Sequence, residues 1–294
     1  KLSGLKNNGR LKNLFRGSGS YIDTEENTFD VLIVDEAHRL NEKSGLYGNL
    51  GENQVAELIN AAKLTIFFID EDQRVTFADI GSKKAIHHFA KQSMASVVET
   101  ELTSQFRCNG SDGYLAWLDD VLQIRETANK QLDSGQYEFC VYDDPNSMRA
   151  EIERLNAVRN KSRLVAGYCW NWVSKSRPDM DDIVISEFEF AAKWNLASDG
   201  SGWITAPDSV REIGCIHTCQ GLELEYVGVI IGEDLVVRDG KVITNPDARA
   251  RTDKSLSGYK SLASRSPIEA NMRADAIIKN TYRTLMTQIG RAHV

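Results

Sequence analysis

The chain lacks the features that would seat it in a membrane, an oxidising compartment or a uniformly basic nucleic-acid sleeve. No apolar run approaches the roughly eighteen residues of a membrane span. The start shows no charged-then-apolar signal pattern followed by a small-residue cleavage site, so the cytoplasm is the expected location. Five cysteines, an odd number scattered over 294 residues, do not form a disulfide framework and fit a reducing environment. Positive charge is also short: the formal net charge is −7 and the sequence pI is near 5.4. Contact with nucleic acid therefore has to rest on local Lys and Arg. One such stretch is KLSGLKNNGRLKNLFRG, where Lys1, Lys6, Arg10, Lys12 and Arg16 occur without an acid; it reads equally as a solvated basic face.

Hydrophobic residues make up 41% of the chain, which is long enough for one large domain or two of ordinary size. Short β-rich apolar runs alternate with helical patterns, the signature of an α/β protein with a mostly parallel sheet. Strands are expected at 31–34, 65–69, 97–102, 139–142, 164–168, 183–185, 214–217 and 227–231. The clearest helices are 53–62, 113–133, 147–159 and about 268–286. Asp239-Gly240 between two apolar runs signals a hairpin turn. A division falls near TSQFRCNGSD, where a strand runs out into polar and glycine residues ahead of a long helix.

Parallel α/β sheets bind ligands beyond the carboxyl ends of their strands, and several strands here end in polar residues. VLIV ends in Asp35-Glu36, TIFFI in Asp70 with Gln73 after it, VVETEL leads to Gln105 and Arg107, and GCIHT leads to Gln220-Gly221. An acid directly after a buried strand can hold Mg²⁺, and a second beside it can polarise an attacking water. Asp35 and Glu36 stand in that order; Gln73 is placed to sense a γ-phosphate or to position the water, and Arg107 to neutralise developing charge. His38 reads either as a coupling residue or as a helix-entry histidine bonded to nearby backbone. Cys215, His217 and Cys219 in CIHTC have the period-two spacing of one strand face, which fits part of a zinc site, although no second ligand pair of recognisable spacing follows. His87-His88 read as structural, because adjacent helical residues diverge. Trp170, Trp172, Trp194 and Trp203 are available for base stacking or for the core.

The order and spacing of the set resemble a known family. VLIVDEAH resembles the Walker B segment of superfamily 1 helicases, FFIDEDQRV their motif III, LTSQFRCNG their motif IV and IHTCQGLELEYVGVIIG their motif V, while IIKNTYRTLMT looks like the start of motif VI. More closely, nearly the whole chain is similar to the Schlafen group 3-like DNA/RNA helicase domain family. The resemblance implies an α/β fold of two RecA-like lobes with mostly parallel sheets, divided as 1–104 and 105–287, with the first lobe incomplete. It implies ATP and Mg²⁺ as cofactors and DNA or RNA as partner, with no membrane role. Asp35 would ligate Mg²⁺, Glu36 would be the catalytic base, Gln73 would couple γ-phosphate to movement and Arg107 would contact phosphate; Asp70 would border the nucleotide. Gln220, Gly221 and Glu223 would belong to the motif linking nucleotide to nucleic acid, a stretch that also reads as a plain turn. The activity implied is either ATP-driven movement on nucleic acid or an ATP-gated clamp that does not translocate, for example in defence or RNA control.

The chain departs from the family pattern at both ends. No GxxxxGK[ST] occurs in it, so the backbone cradle and the phosphate lysine are missing, as is expected if the P-loop strand and helix have been cut away. After TYRTLMT an arginine and glycine are expected, whereas the chain continues QIGRAHV. Residues 288–294 read as a translated sequencing adapter, so Arg291 is not assigned as an arginine finger.

Overall fold

The computed structural model describes residues 14–45, 48–102, 112–132, 137–195, 200–219 and 224–287. It is an α/β structure with small, mostly parallel sheets, and the chain separates into two compact units, Lys1–Thr100 and Glu101–Val294. Among the described residues no helix is long and apolar enough to cross a membrane.

In the first unit β1 (Phe29–Val34) lies parallel to β2 (Ala62–Phe67), with Val31 opposite Leu64 and Val34 opposite Phe67. A parallel pair needs a crossover, and α1 (Gln54–Ala61) supplies it. That helix starts at Asn53, whose side chain accepts from the Val55 and Ala56 amides and so satisfies two otherwise orphaned donors. Val55, Leu58 and Ala61, at helical spacing, bury against Tyr21, Val34, Ala37 and Leu40, with Leu32 and Phe67 packed on the same cluster. The strands alternate accordingly. Leu32 and Val34 face the core, while Val31, Ile33, Leu64 and Ile66 are exposed on the other face of the sheet. A second helix, α2 (Lys83–Gln92), is capped by the Ser82 hydroxyl.

The second unit is built on β3 (Ser162–Ala166), buried along its whole length between β6 (Ile213–Gly214) and β7 (Tyr226–Ile230), all three parallel. Before β3 come α3 (Asp112–Val121) and α4 (Pro145–Val158); Asp144 caps α4 and proline occupies its first turn, where no N–H is needed. Gly228 in β7 lets strand and helix approach, since a Cβ there would meet Leu164 at 2.5 Å and Met148 and Ile152 at 3.1 Å. Two antiparallel hairpins are added, β4 (Ile183–Ile185) with β5 (Phe190–Ala192) and β8 (Leu235–Arg238) with β9 (Lys241–Thr244). The latter turns at Asp239-Gly240, both at positive φ, as its Asp-Gly signal requires. The short α5 (Ile216–Cys219) and α6 (Tyr259–Ala263) precede the 20-residue α7 (Pro267–Met286), which buries Ala270, Ala274, Ile277, Ile278, Tyr282 and Leu285.

Four expected elements differ. Residues 97–102 form no strand, and Val98 and Leu102 are exposed; a β-prone run without a neighbouring ladder has nowhere to place its backbone hydrogen bonds. Residues 139–142 are likewise irregular. The helix expected over 113–133 stops at Val121 because Gln123 turns left-handed (φ 53°), with Ile124 N–H donating to the Asp119 carbonyl and Gln123 N–H to that of Asp120. Glycine usually fills this position. Gln123 holds it through its side chain, which bonds the Gly240 carbonyl at 2.8 Å and the Val242 amide at 3.1 Å. Finally, the strand expected at 214–217 ends at Gly214 and gives way to α5, so Cys215, His217 and Cys219 do not share one strand face.

Candidate functional site

The acids after β1 are presented by an irregularity in the parallel ladder. Phe68 N–H donates to the Val34 carbonyl (2.9 Å), and a regular ladder would return the Phe68 carbonyl to the amide of residue 36. It is instead the Ala37 amide that reaches Phe68 (2.8 Å), so one extra residue is accommodated and the chain bulges. Glu36 takes the strain, at φ 52°, ψ 41°. A non-glycine residue in this region costs on the order of 1–3 kcal/mol and persists where surrounding structure over-determines it. Part is offset locally, because the Asp35 carboxylate accepts the displaced Glu36 amide at 2.9 Å. The result is an exposed Asp35 and a half-buried Glu36 at the carboxyl edge of the sheet.

The next turn is closed from below. His38 is 2% exposed; its Nδ1 accepts from the Asp70 amide at 3.4 Å, and its Nε2 stands 3.2 Å from Glu36 Oε2 with an off-line approach. Asp70, exposed beyond the end of β2, caps the Glu71–Gln73 turn through Oδ1, and its Oδ2 accepts from the buried Gln73 amide nitrogen at 2.7 Å. Gly81 completes the floor: a Cβ there would lie 1.8 Å from the Ala37 carbonyl oxygen. Asp35 and Glu36 thus follow β1 directly, Asp70 and Gln73 belong to the turn beyond β2, and His38 lies between the two segments. Gly81 has no signal in the sequence beyond being a glycine. Arg107, Gln220, Gly221 and Glu223 lie outside the described residues.

Mg²⁺ takes hard oxygen donors, commonly one or two carboxylates, and completes its shell with water and phosphate oxygens. An exposed aspartate with an open approach fits that demand. Among the described residues no group of three His, Cys, Asp or Glu side chains converges as a self-sufficient metal cage.

The second unit carries a contrasting acid. After β7 the chain reads Gly232-Glu233-Asp234, and Asp234 is completely buried. Its Oδ2 lies 2.6 Å from Arg249 Nε, its Oδ1 accepts from the Tyr282 hydroxyl, and Arg249 also pairs with Asp253 at 3.1 Å. The Tyr282 oxygen in turn accepts from the Gly232 amide at 3.0 Å. Burial first, and then the Asp234 charge, push the Tyr282 hydroxyl well above its ordinary range and the Cys169 thiol up to about 12. Trp194 and Trp203 are core residues, whereas Trp170 and Trp172 are half-buried, with Lys175 Nζ 3.8 Å from the Trp172 ring centre. His87 pairs with Glu99, and His88 stacks edge-on against Phe89. A cavity of about 630 Å³ between α4 and β7, lined by Tyr142, Met148, Ile152 and Val229, contains none of the predicted residues.

Over residues 2–292 the chain matches the family described as Schlafen group 3, DNA/RNA helicase domain. It belongs to that family. It is also 22% identical over 228 residues to the uncharacterized protein YPL245W of Saccharomyces cerevisiae, an alignment covering 70% of this chain and 49% of the yeast protein. The chain therefore spans about half the length of that relative. No solved structure matches it.

Proposed function

We propose that this Schlafen group 3 helicase domain is the nucleotide-hydrolysing part of a superfamily 1 helicase-like protein acting on DNA or RNA, its two units being the two RecA-like lobes. The observation that carries the reading is the bulge after β1, which presents an exposed Asp35 and a strained, half-buried Glu36 at a parallel-sheet edge beside Asp70 and Gln73. Bound Mg²⁺ would supply charge neutralisation on the β- and γ-phosphates. Asp35 would hold that ion through its exposed carboxylate. Glu36, half-buried beside it, is the base that takes the proton of the attacking water. Gln73, now bonded to Asp70, exchanges that partner for the γ-phosphate or the water. Arg107 contributes positive charge to the transferring phosphoryl group, and Gln220, Gly221 and Glu223 tie nucleotide state to nucleic acid.

These 294 residues contain no GxxxxGK[ST], so the assay uses the longest natural protein that includes them. ATP hydrolysis should be Mg²⁺-dependent and stimulated by single-stranded nucleic acid. Stimulated turnover with strand displacement supports a translocating helicase, turnover without displacement an ATP-gated clamp, and absence of any turnover contradicts the hydrolase reading.

A further inference from the structure

A parallel sheet is covered on both faces and leaves its unpaired backbone groups at its edges. In the second unit β7 is such an edge, since it pairs with β3 alone. The Gly167 amide donates to the Ile230 carbonyl, so Ile230, Gly228 and Tyr226 direct their backbone groups towards β3. Val227, Val229 and Ile231 direct theirs the other way. None of the three has a backbone partner on that side among the described residues. They line the cavity of about 630 Å³ beside α4, and so do residues 137–143.

That second segment is held at both ends. Buried Tyr137 stacks on Tyr114 with ring centres 3.7 Å apart, and the Tyr114 hydroxyl donates to the Met286 carbonyl at the end of α7 (3.1 Å). At the other end Asp144 caps α4. Between these anchors every residue from Glu138 to Asp143 is exposed, Val141 at 83%. The run Glu-Phe-Cys-Val-Tyr has strand propensity and no ladder to join, while a β-branched side chain stands exposed beside an apolar cavity.

Side-chain alternation along the run already matches a two-faced strand. Tyr137 and Phe139 turn towards α3, Phe139 meeting Trp117 edge-on at 5.0 Å. Tyr142, of the opposite parity, lies on the α4 side, where Glu151 and Arg154 act on its hydroxyl. Chain direction is set as well. A strand leading through α4 into β3 is a crossover connection, which makes residues 138–142 parallel to β3 and hence to β7.

We propose that residues 138–142 are a strap that closes onto β7 as a fourth parallel strand, so that the chain itself fills the cavity. The closed sheet has the order β6-β3-β7-strap. Val227, Val229 and Ile231 gain backbone partners, and the groove beside α4 is sealed. Tethering decides the occupant, because the strap meets β7 at the effective concentration of a short linker fixed at both ends. Closure also removes an edge that would otherwise template pairing with another chain.

Closure is read on this chain without any activity assay, by residue-resolved amide exchange in NMR. The Val227, Val229 and Ile231 amides should exchange at least about 100-fold more slowly than in an unstructured chain, with extended-chain carbon shifts over 138–142. Cys140→Pro and Val141→Pro distinguish a strand from a loose cover. Adjacent strand residues point their N–H groups to opposite sides, and proline is tolerated only where the N–H faces solvent. One of the two substitutions should speed exchange at the β7 amides by roughly 10-fold, the scale of a lost hydrogen bond, and the other should leave them protected. Equal release by both prolines, or release by neither, overturns the proposal, as do fast exchange at all three amides or coil shifts over 138–142 in the wild type. Protection that rises with protein concentration gives the edge to a second copy and overturns it too.

Discussion

Two apolar strands in this chain run into acidic pairs, and the two have opposite fates. VLIV is followed by Asp35-Glu36 at a bulge, which leaves Asp35 exposed with an amide as its partner and Glu36 half-buried with a histidine edge beside it. VGVII is followed, one glycine later, by Glu233-Asp234, and Asp234 is sealed between Arg249 and Tyr282. A buried carboxylate held by a guanidinium and a hydroxyl is committed to holding structure. An exposed one at a strained turn remains available to a cation. The comparison separates a structural acid from a chemical one by its partners, which sequence pattern alone does not do.

The largest effect should come from removing a charge on the sealed side. Arg249→Ala leaves Asp234 and Asp253 buried without their shared cation and should cost about 3–5 kcal/mol in urea-denaturation experiments, as breaking buried pairs does. A cost below about 1 kcal/mol, the range of exposed pairs, would erase the contrast. Next, Tyr282→Phe deletes one donor to Asp234 and one acceptor for the Gly232 amide, leaving both partners buried, with an expected loss of about 1–3 kcal/mol.

A third effect is pH-dependent. The Cys169 thiol is raised from 9.0 to about 12 by burial and the nearby Asp234 charge, so the folded state holds its proton more tightly than the unfolded one. Its contribution to stability is fully present below about pH 9 and is lost as pH rises towards 12. Cys169→Ser should flatten the alkaline decline in melting temperature, and thiol labelling near pH 8 should reach exposed Cys140 well before Cys169. The smallest stability change belongs to the open side: Asp35→Asn should shift unfolding by no more than about 0.5 kcal/mol while abolishing Mg²⁺-dependent turnover in the natural protein.

How much of this was legible depended on how local the cause was. The strand at 31–34, the helix expected over 53–62 and found over 54–61, the long α7 and the Asp239-Gly240 hairpin follow from periodicity and turn chemistry within a few residues. The early end of α3 was not legible, because Gln123 adopts a glycine-like conformation with help from Gly240 and Val242, more than a hundred residues away. CIHTC looked like a strand by alternation, but β6 is only two residues long before the chain coils. At the candidate site, the positions of Asp35, Glu36, Asp70 and Gln73 at strand ends could be read directly. The extra residue at Glu36, the His38 ring between two strands and the need for Gly81 could not, since each arises from backbone meeting backbone across the sheet.

The most direct test sets Glu36→Gln beside Asp234→Asn in the natural protein and measures, for each, single-turnover ATP hydrolysis and thermal unfolding. The account predicts that the Glu36 variant binds ATP and melts like wild type but hydrolyses at least about 100-fold more slowly, as loss of a general base entails, while the Asp234 variant loses stability. Undiminished hydrolysis in Glu36→Gln, or an Asp234→Asn variant as stable as wild type, would contradict it.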